Sequence, residues 1–191
     1  MADLSAFSET YAQARAKFLD AAGGRVAHYL HPVEQGPEGE ALYLDLAWIG
    51  PADASKVLAV GCGTHGIEGY PGSAAMTHWL RSGAGMRLPP DTAVAFLHAH
   101  NPWGFAHRTR VTEENVDLNR NFIDFGRPLP RNPGYAEVHA GITPAQWTDE
   151  SVAGAFRFLE QYKQRVGEQA YSDAFNGGQY SHEDADRKSV V

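Results

Sequence analysis

Cysteine is almost absent from this 191-residue chain, where Cys62 stands alone. No intramolecular disulfide can form, and nothing in the cysteine usage asks for an oxidising compartment, so a cytoplasmic setting is the default expectation. Basic residues are scarce as well, 16 Lys and Arg against 23 Asp and Glu. The net charge of -7 argues against nucleic acid or an anionic membrane as the main partner, and any anion recognition must come from a local cluster. No stretch approaches the roughly 18 consecutive apolar residues of a membrane span. Residues 1–24 also lack a basic segment followed by an apolar core, so the chain is expected to be neither exported nor membrane-spanning.

What the sequence does contain suits one domain with a sizeable core. Phe7, Tyr11, Ala14, Phe18 and Leu19 recur at helical spacing and predict a helix over 5–22, stopped by Gly23 and Gly24. Residues 25–31 and 41–48 read as an antiparallel strand pair joined by the turn-rich PVEQGPEG, with Leu42, Leu44, Leu46 and Trp48 alternating onto one face. The short apolar run 57–60 predicts a strand buried on both faces at the centre of a sheet. A helix over 72–81 and a second buried strand over 92–98 complete a β-loop-α-β unit with parallel strands. Residues 128–144 read as a long proline- and glycine-rich loop. Residues 148–175 carry the helical stripe Val152, Phe156, Leu159, Tyr162 and Val166, broken at Gly167, and the last stretch is polar without a core pattern.

Ligands in such sheets bind beyond the carboxyl ends of parallel strands, where the loops at 61–69 and from His100 onward both emerge. The first loop, VLAVGCGTHGIEG, admits two chemistries. Gly61, Gly63 and Gly66 spell G-x-G-x-x-G, and VLAVGCGTHG is similar to the first motif of S-adenosylmethionine-dependent methyltransferases. Against this, Ala59 replaces the usual acid, His65 replaces a glycine, and residues 69–90 contain no Asp or Glu to hold a ribose. The other chemistry belongs to His65 and Glu68, an imidazole and a carboxylate three residues apart, which are donors that a catalytic zinc uses. The second loop, NPWGFAHRTRVTEENVDLNRNF, collects Arg108, Arg110 and Arg120 near Asn119, a set suited to a carboxylate or a polarised carbonyl. The plainer alternative is that Glu113, Glu114 and Asp117 pair with those arginines and pin the loop.

Taken together, His65-x-x-Glu68, Asn101-Pro-x-Gly-Phe and Asp117-Leu-Asn-Arg-Asn-Phe122 resemble the zinc carboxypeptidase superfamily, which includes aspartoacylase and succinylglutamate desuccinylase relatives. The chain is most similar to a bacterial branch known as a domain of unknown function, DUF2817. The resemblance implies a three-layer α/β/α fold of the zinc-peptidase type with a mixed, partly parallel sheet. It treats 1–191 as a single domain whose motif-bearing part spans about 40–182. By the same resemblance, His65 and Glu68 are the first two zinc ligands, and Asn119 and Arg120 hold the substrate's carboxylate. Arg110 polarises the scissile carbonyl, with Arg108 as the alternative register. The implied substrate is a small peptide or an N-acyl amino acid with a free carboxylate, cleaved at its amide.

The family's third zinc ligand and catalytic glutamate have no counterpart that the pattern assigns, because the match fades after Gly178-Gln-Tyr-Ser-His182. The expectation is therefore a domain incomplete at its C-terminus, with a weak or incomplete zinc site and an unpaired sheet edge that favours a homo-oligomer. A carboxylate-binding module without catalysis is the alternative outcome. His139 and His182 are candidates to swing in as ligands but read more readily as surface histidines. His98 and His100 are expected to support the site or the core, and His28, His31, His78 and His107 to be structural. Cys62 is expected to pack as a small apolar residue.

Overall fold

A computed structural model describes residues 4–182. The chain divides into two compact units, Met1–Glu113 and Glu114–Val191.

In the first unit, helix α1 (Tyr11–Ala22) begins where the Thr10 hydroxyl accepts from the Gln13 amide at 3.2 Å. That cap shortens the helix expected from residue 5. Gly23, left-handed at φ 66°, ends it, as the glycine pair indicated. Strands β1 (Val26–Gln35) and β2 (Ala41–Ile49) are antiparallel, and β1 continues through the first four residues expected to be loop. Strand β3 (Lys56–Gly61), helix α2 (Gly69–Arg81) and strand β4 (Thr92–His98) form the expected β-α-β unit, with β3 and β4 parallel. The four strands make an open mixed sheet in the order β1-β2-β4-β3, flanked by helices, so the α/β class is as expected.

That order corrects the position of β3. It is an edge strand among the described residues, with Val57 50% and Leu58 59% exposed, and the interior strands are β2 and β4. An unbroken apolar run signals burial but carries no information about which strand lies beyond it. In β2 the Leu/Trp face is largely half-buried, whereas Asp45 and Ala47 on the opposite face are fully buried. The latter face lies under α1 and α2. His98, opposite Asp45 in the register, stacks on Phe18 at 4.5 Å, and Phe96, opposite Ala47, meets Trp79 at 5.2 Å. After β4 the short helix α3 (Pro102–His107) places Phe105 at the core, edge-on to Tyr11 and Tyr70.

The second unit is helical: α4 (Pro133–Ile142), α5 (Asp149–Val166) and α6 (Glu168–Asn176), around Tyr135, Val138, Tyr162 and Ala174. Helix α4 lies inside the stretch read as a loop. Its start was signalled by Asn132-Pro133, a capping residue followed by a proline at the first helical position; the Asn132 side chain accepts from the Tyr135 amide at 3.2 Å. The break between α5 and α6 falls at Gly167, at φ 84°, as periodicity indicated. The stripe itself is corrected in part, because Tyr162 is buried while Phe156 is 70% exposed.

Candidate active site

Beyond the sheet, the ends of β3 and β4 remain laced together. The Cys62 amide donates to Leu97, the His100 amide to the Cys62 carbonyl at 3.0 Å, and the Asn101 amide to the Gly63 carbonyl at 2.9 Å. This parallel lacing brings the first loop side by side with the start of the second, the part that belongs to the first unit. Asn101 then fixes the second loop. Its Oδ1 accepts from the Gly104 amide at 2.7 Å and its Nδ2 donates to the Val111 carbonyl at 2.9 Å, while the side chain is almost fully buried.

The glycines of the first loop serve this contact. A Cβ on Gly66 would lie 1.9 Å from the Gly104 carbonyl oxygen, one on Gly63 2.8 Å from the Ala99 Cβ, and one on Gly61 against the His100 ring. The Gly66 amide donates to Thr109 at 3.0 Å. In a dinucleotide cradle such glycines let a cofactor's phosphates approach the backbone. Here the approaching groups belong to the protein's own second loop.

His65 and Glu68 come together. His65 is buried and precedes the 3-10 turn Gly66–Glu68; Glu68 is exposed at the turn's end, directly before α2. The imidazole Nδ1 and the Glu68 Oε1 are 3.2 Å apart. Two donors at one sheet edge match two of the three protein ligands that a catalytic zinc site takes. Among the described residues no group of three or more His, Cys, Asp or Glu side chains is arranged to hold a metal ion. The described residues therefore do not by themselves make a complete zinc centre.

The neighbouring histidines have other duties. His98 is fully buried with Nε2 2.8 Å from the Ser73 hydroxyl, and burial pushes its pKa down to about 4, so the imidazole is neutral. His100, with Nδ1 3.0 Å from the Thr64 hydroxyl, is also shifted down by burial. His28 lies 2.6 Å from Asp45 and His31 3.2 Å from Glu113, while His107 donates from Nε2 to the Gln35 carbonyl. Burial pushes the Cys62 thiol up to about 12, so it packs rather than reacts.

The arginines divide. Arg108 closes α3 in a left-handed conformation at φ 56°, and its guanidinium donates to the Glu9 carbonyl, ahead of α1. Arg110 is exposed in the loop that follows. Asn119 and Arg120 belong to the second unit, both exposed on the 3-10 turn Leu118–Arg120. The fully buried Asp117 caps that turn, its Oδ1 accepting from the Asn119 amide at 2.9 Å. His139 and His182, also in the second unit, stack on each other with ring centroids 3.9 Å apart. Sequence reasoning passed over the Ser73–His98 pair and the clamp made by Asn101. Asn101-Pro102 carries the same cap-and-proline signal as Asn132-Pro133.

A family model described as "Protein of unknown function (DUF2817)" matches residues 7–186. The chain belongs to this family. No curated protein matches it. Among solved structures, a metallo-carboxypeptidase from Burkholderia cenocepacia aligns at 15% identity with a TM-score of 0.37, covering 80% of this chain and 37% of that one. The DUF2817 chain thus spans little more than a third of that protein's length. No helix among the described residues is long and apolar enough to cross a membrane.

Proposed function

We propose that this DUF2817 protein is of carboxypeptidase type and recognises a C-terminal peptide segment or an N-acyl amino acid through its free carboxylate. The observation that supports the reading is the meeting of His65 and Glu68 at 3.2 Å beyond β3. Their loop is laced to the one that leads to Arg110. In this reading Asn119 and Arg120 are assigned to the carboxylate, a guanidinium fork and an amide being matched to it, and Arg110 is assigned by its charge to the amide carbonyl. Arg108, anchored on Glu9, holds the loop.

The reading favours binding over turnover. A zinc ion would supply Lewis acidity to the carbonyl and a nucleophilic water. His65 and Glu68 furnish only two of its ligands, so the described residues on their own are expected to bind carboxylates without hydrolysing amides.

Metal content by mass spectrometry, calorimetric titration with N-acetyl amino acids, and an amide hydrolysis assay test this together. The expected result is substoichiometric zinc, ligand binding that survives chelation, and no turnover. Stoichiometric zinc with turnover would establish a complete site, and absence of carboxylate binding would remove the proposal.

A further inference from the structure

The sheet of the first unit has two edges, and only one of them is blunted. At β1 the edge is interrupted: Pro32 has no N–H to offer, and the pairing register shifts between Leu30 and Gln35. Strand β3 has no such safeguard. It runs Lys-Val-Leu-Ala-Val-Gly without a proline and pairs with β4 in unbroken register. Its single charge, Lys56 at the first residue, is already held by Asp91 at 2.8 Å. Among the described residues nothing pairs with the outer side of β3.

Parity decides which main-chain groups face outward. The Lys56 amide donates to the Asp91 carbonyl, and the Cys62 amide, just past the strand, donates to the Leu97 carbonyl. Residues that bond to a parallel neighbour alternate along a strand, so the even positions serve β4. The N–H and C=O groups of Val57, Ala59 and Gly61 therefore point to the open side. The side chains around them are apolar. Val57 and Leu58 are exposed, and Leu58 and Val60 line a cavity of about 460 Å³ whose other walls include Met76, Trp79 and Leu88. No charged residue lines that cavity.

Outside residues 4–182 this sequence holds only Met-Ala-Asp and Glu-Asp-Ala-Asp-Arg-Lys-Ser-Val-Val, neither of which contains an apolar run of strand length. A second copy carries the same unprotected edge, and charge selects its direction. Parallel pairing of two β3 strands would set Lys56 beside Lys56, whereas antiparallel pairing sends the two lysines to opposite ends. Outward-facing residues exchange bonds with outward-facing residues. The register that uses all of them pairs Ala59 with the second copy's Ala59 and Val57 with its Gly61. Leu58 then stands beside the second copy's Val60 on the cavity face, and an apolar row joins the two cavities.

We propose that β3 forms a two-fold symmetric homodimer by antiparallel pairing about Ala59, which joins the two sheets into one. The symmetry closes the assembly at two copies. One short strand with its flanking groove is a small interface, so association in the micromolar range is expected.

Sedimentation equilibrium from about 1 to 500 μM tests this, in about 0.15 M salt to screen the repulsion between chains of net charge -7. Amide hydrogen exchange is followed alongside. The variants are Ala59→Lys and Ala59→Glu, at an exposed position, with circular dichroism to check folding. The expected wild type is a monomer–dimer equilibrium in which the Val57, Ala59 and Gly61 amides gain protection as the dimer fills. Each variant sets like charges face to face and weakens association at least about tenfold, while an equimolar mixture of the two recovers it. A wild type that stays monomeric throughout overturns the proposal; protected β3 amides in that monomer would show that another segment covers the edge. A dimer that both variants leave intact, or growth beyond two copies, overturns it equally. Loss of association in each variant without recovery in the mixture overturns the Ala59 register.

Discussion

Arg15 holds Asp45 by two parallel hydrogen bonds, Nε to Oδ2 at 2.7 Å and Nη2 to Oδ1 at 3.0 Å, although the carboxylate is fully buried. The same guanidinium lies 3.9 Å from the centre of the Tyr43 ring, so one side chain of α1 satisfies a charge and covers an aromatic face of β2. A buried pair of this kind is costly to break from one side and cheap to remove whole. Arg15→Met is expected to lower stability by about 3 kcal/mol, with His28 as the remaining partner of Asp45, whereas Arg15→Met with Asp45→Leu recovers most of the loss. Urea unfolding of the two variants checks this, and equal losses would show that the ion pair itself stabilises the fold.

A second prediction concerns acid. The His98 imidazole is kept neutral in the folded protein, with a pKa near 4 against about 6.5 when unfolded. The unfolded chain therefore binds a proton first as pH falls, and the contribution of this group to stability declines from pH 6.5 down to 4. It is constant above pH 7. The decline attributable to His98 amounts to about 3 kcal/mol. Urea melts between pH 8 and 4, with the imidazole followed by NMR, check it; an imidazole that titrates near 6.5 in the folded state would refute it.

Gly66→Ala is expected to damage both loops at once. The added methyl would meet the carbonyl of Gly104 at 1.9 Å and that of Thr109 at 2.4 Å, backbone atoms that cannot swing aside. A destabilisation of at least about 3 kcal/mol is expected, the upper end of overpacking costs, with exchange of the Gly66 amide accelerated because its bond to Thr109 is lost.

Cys62 is expected to resist thiol chemistry. Buried, and shifted up to about 12 by that burial, it presents almost no thiolate at pH 8. Iodoacetamide should leave the native protein unlabelled and label it fully in denaturant; rapid native labelling would show that the thiol is exposed by local opening.

How far the sequence disclosed these features depended on how local they are. Helix ends at Gly23 and Gly167 are written in neighbouring residues and could be read directly, whereas the Asp117-capped turn that presents Asn119 and Arg120 was not read from the sequence. His65 and Glu68 lie within one turn, so their approach is a short-range matter as well. The edge position of β3 depends on strand order, which an apolar run does not encode. Proline content concealed α4 because prolines ahead of a helix and prolines in a loop look alike until the Asn132 cap is weighed. Contacts over long separations, such as Arg15 with Asp45 or Tyr180 with Asn121, left no trace in local pattern.

One hydroxyl in the first unit does the work of a strand residue. Tyr11 Oη both accepts from the Tyr43 amide at 2.8 Å and donates to the Tyr43 carbonyl at 3.0 Å. The helix is thereby spliced into the ladder at the level of the main chain, and it cannot lift away without uncovering a peptide group. Deuterium uptake at that single amide therefore clocks the detachment of α1 from the sheet, and does so independently of fraying elsewhere along β2.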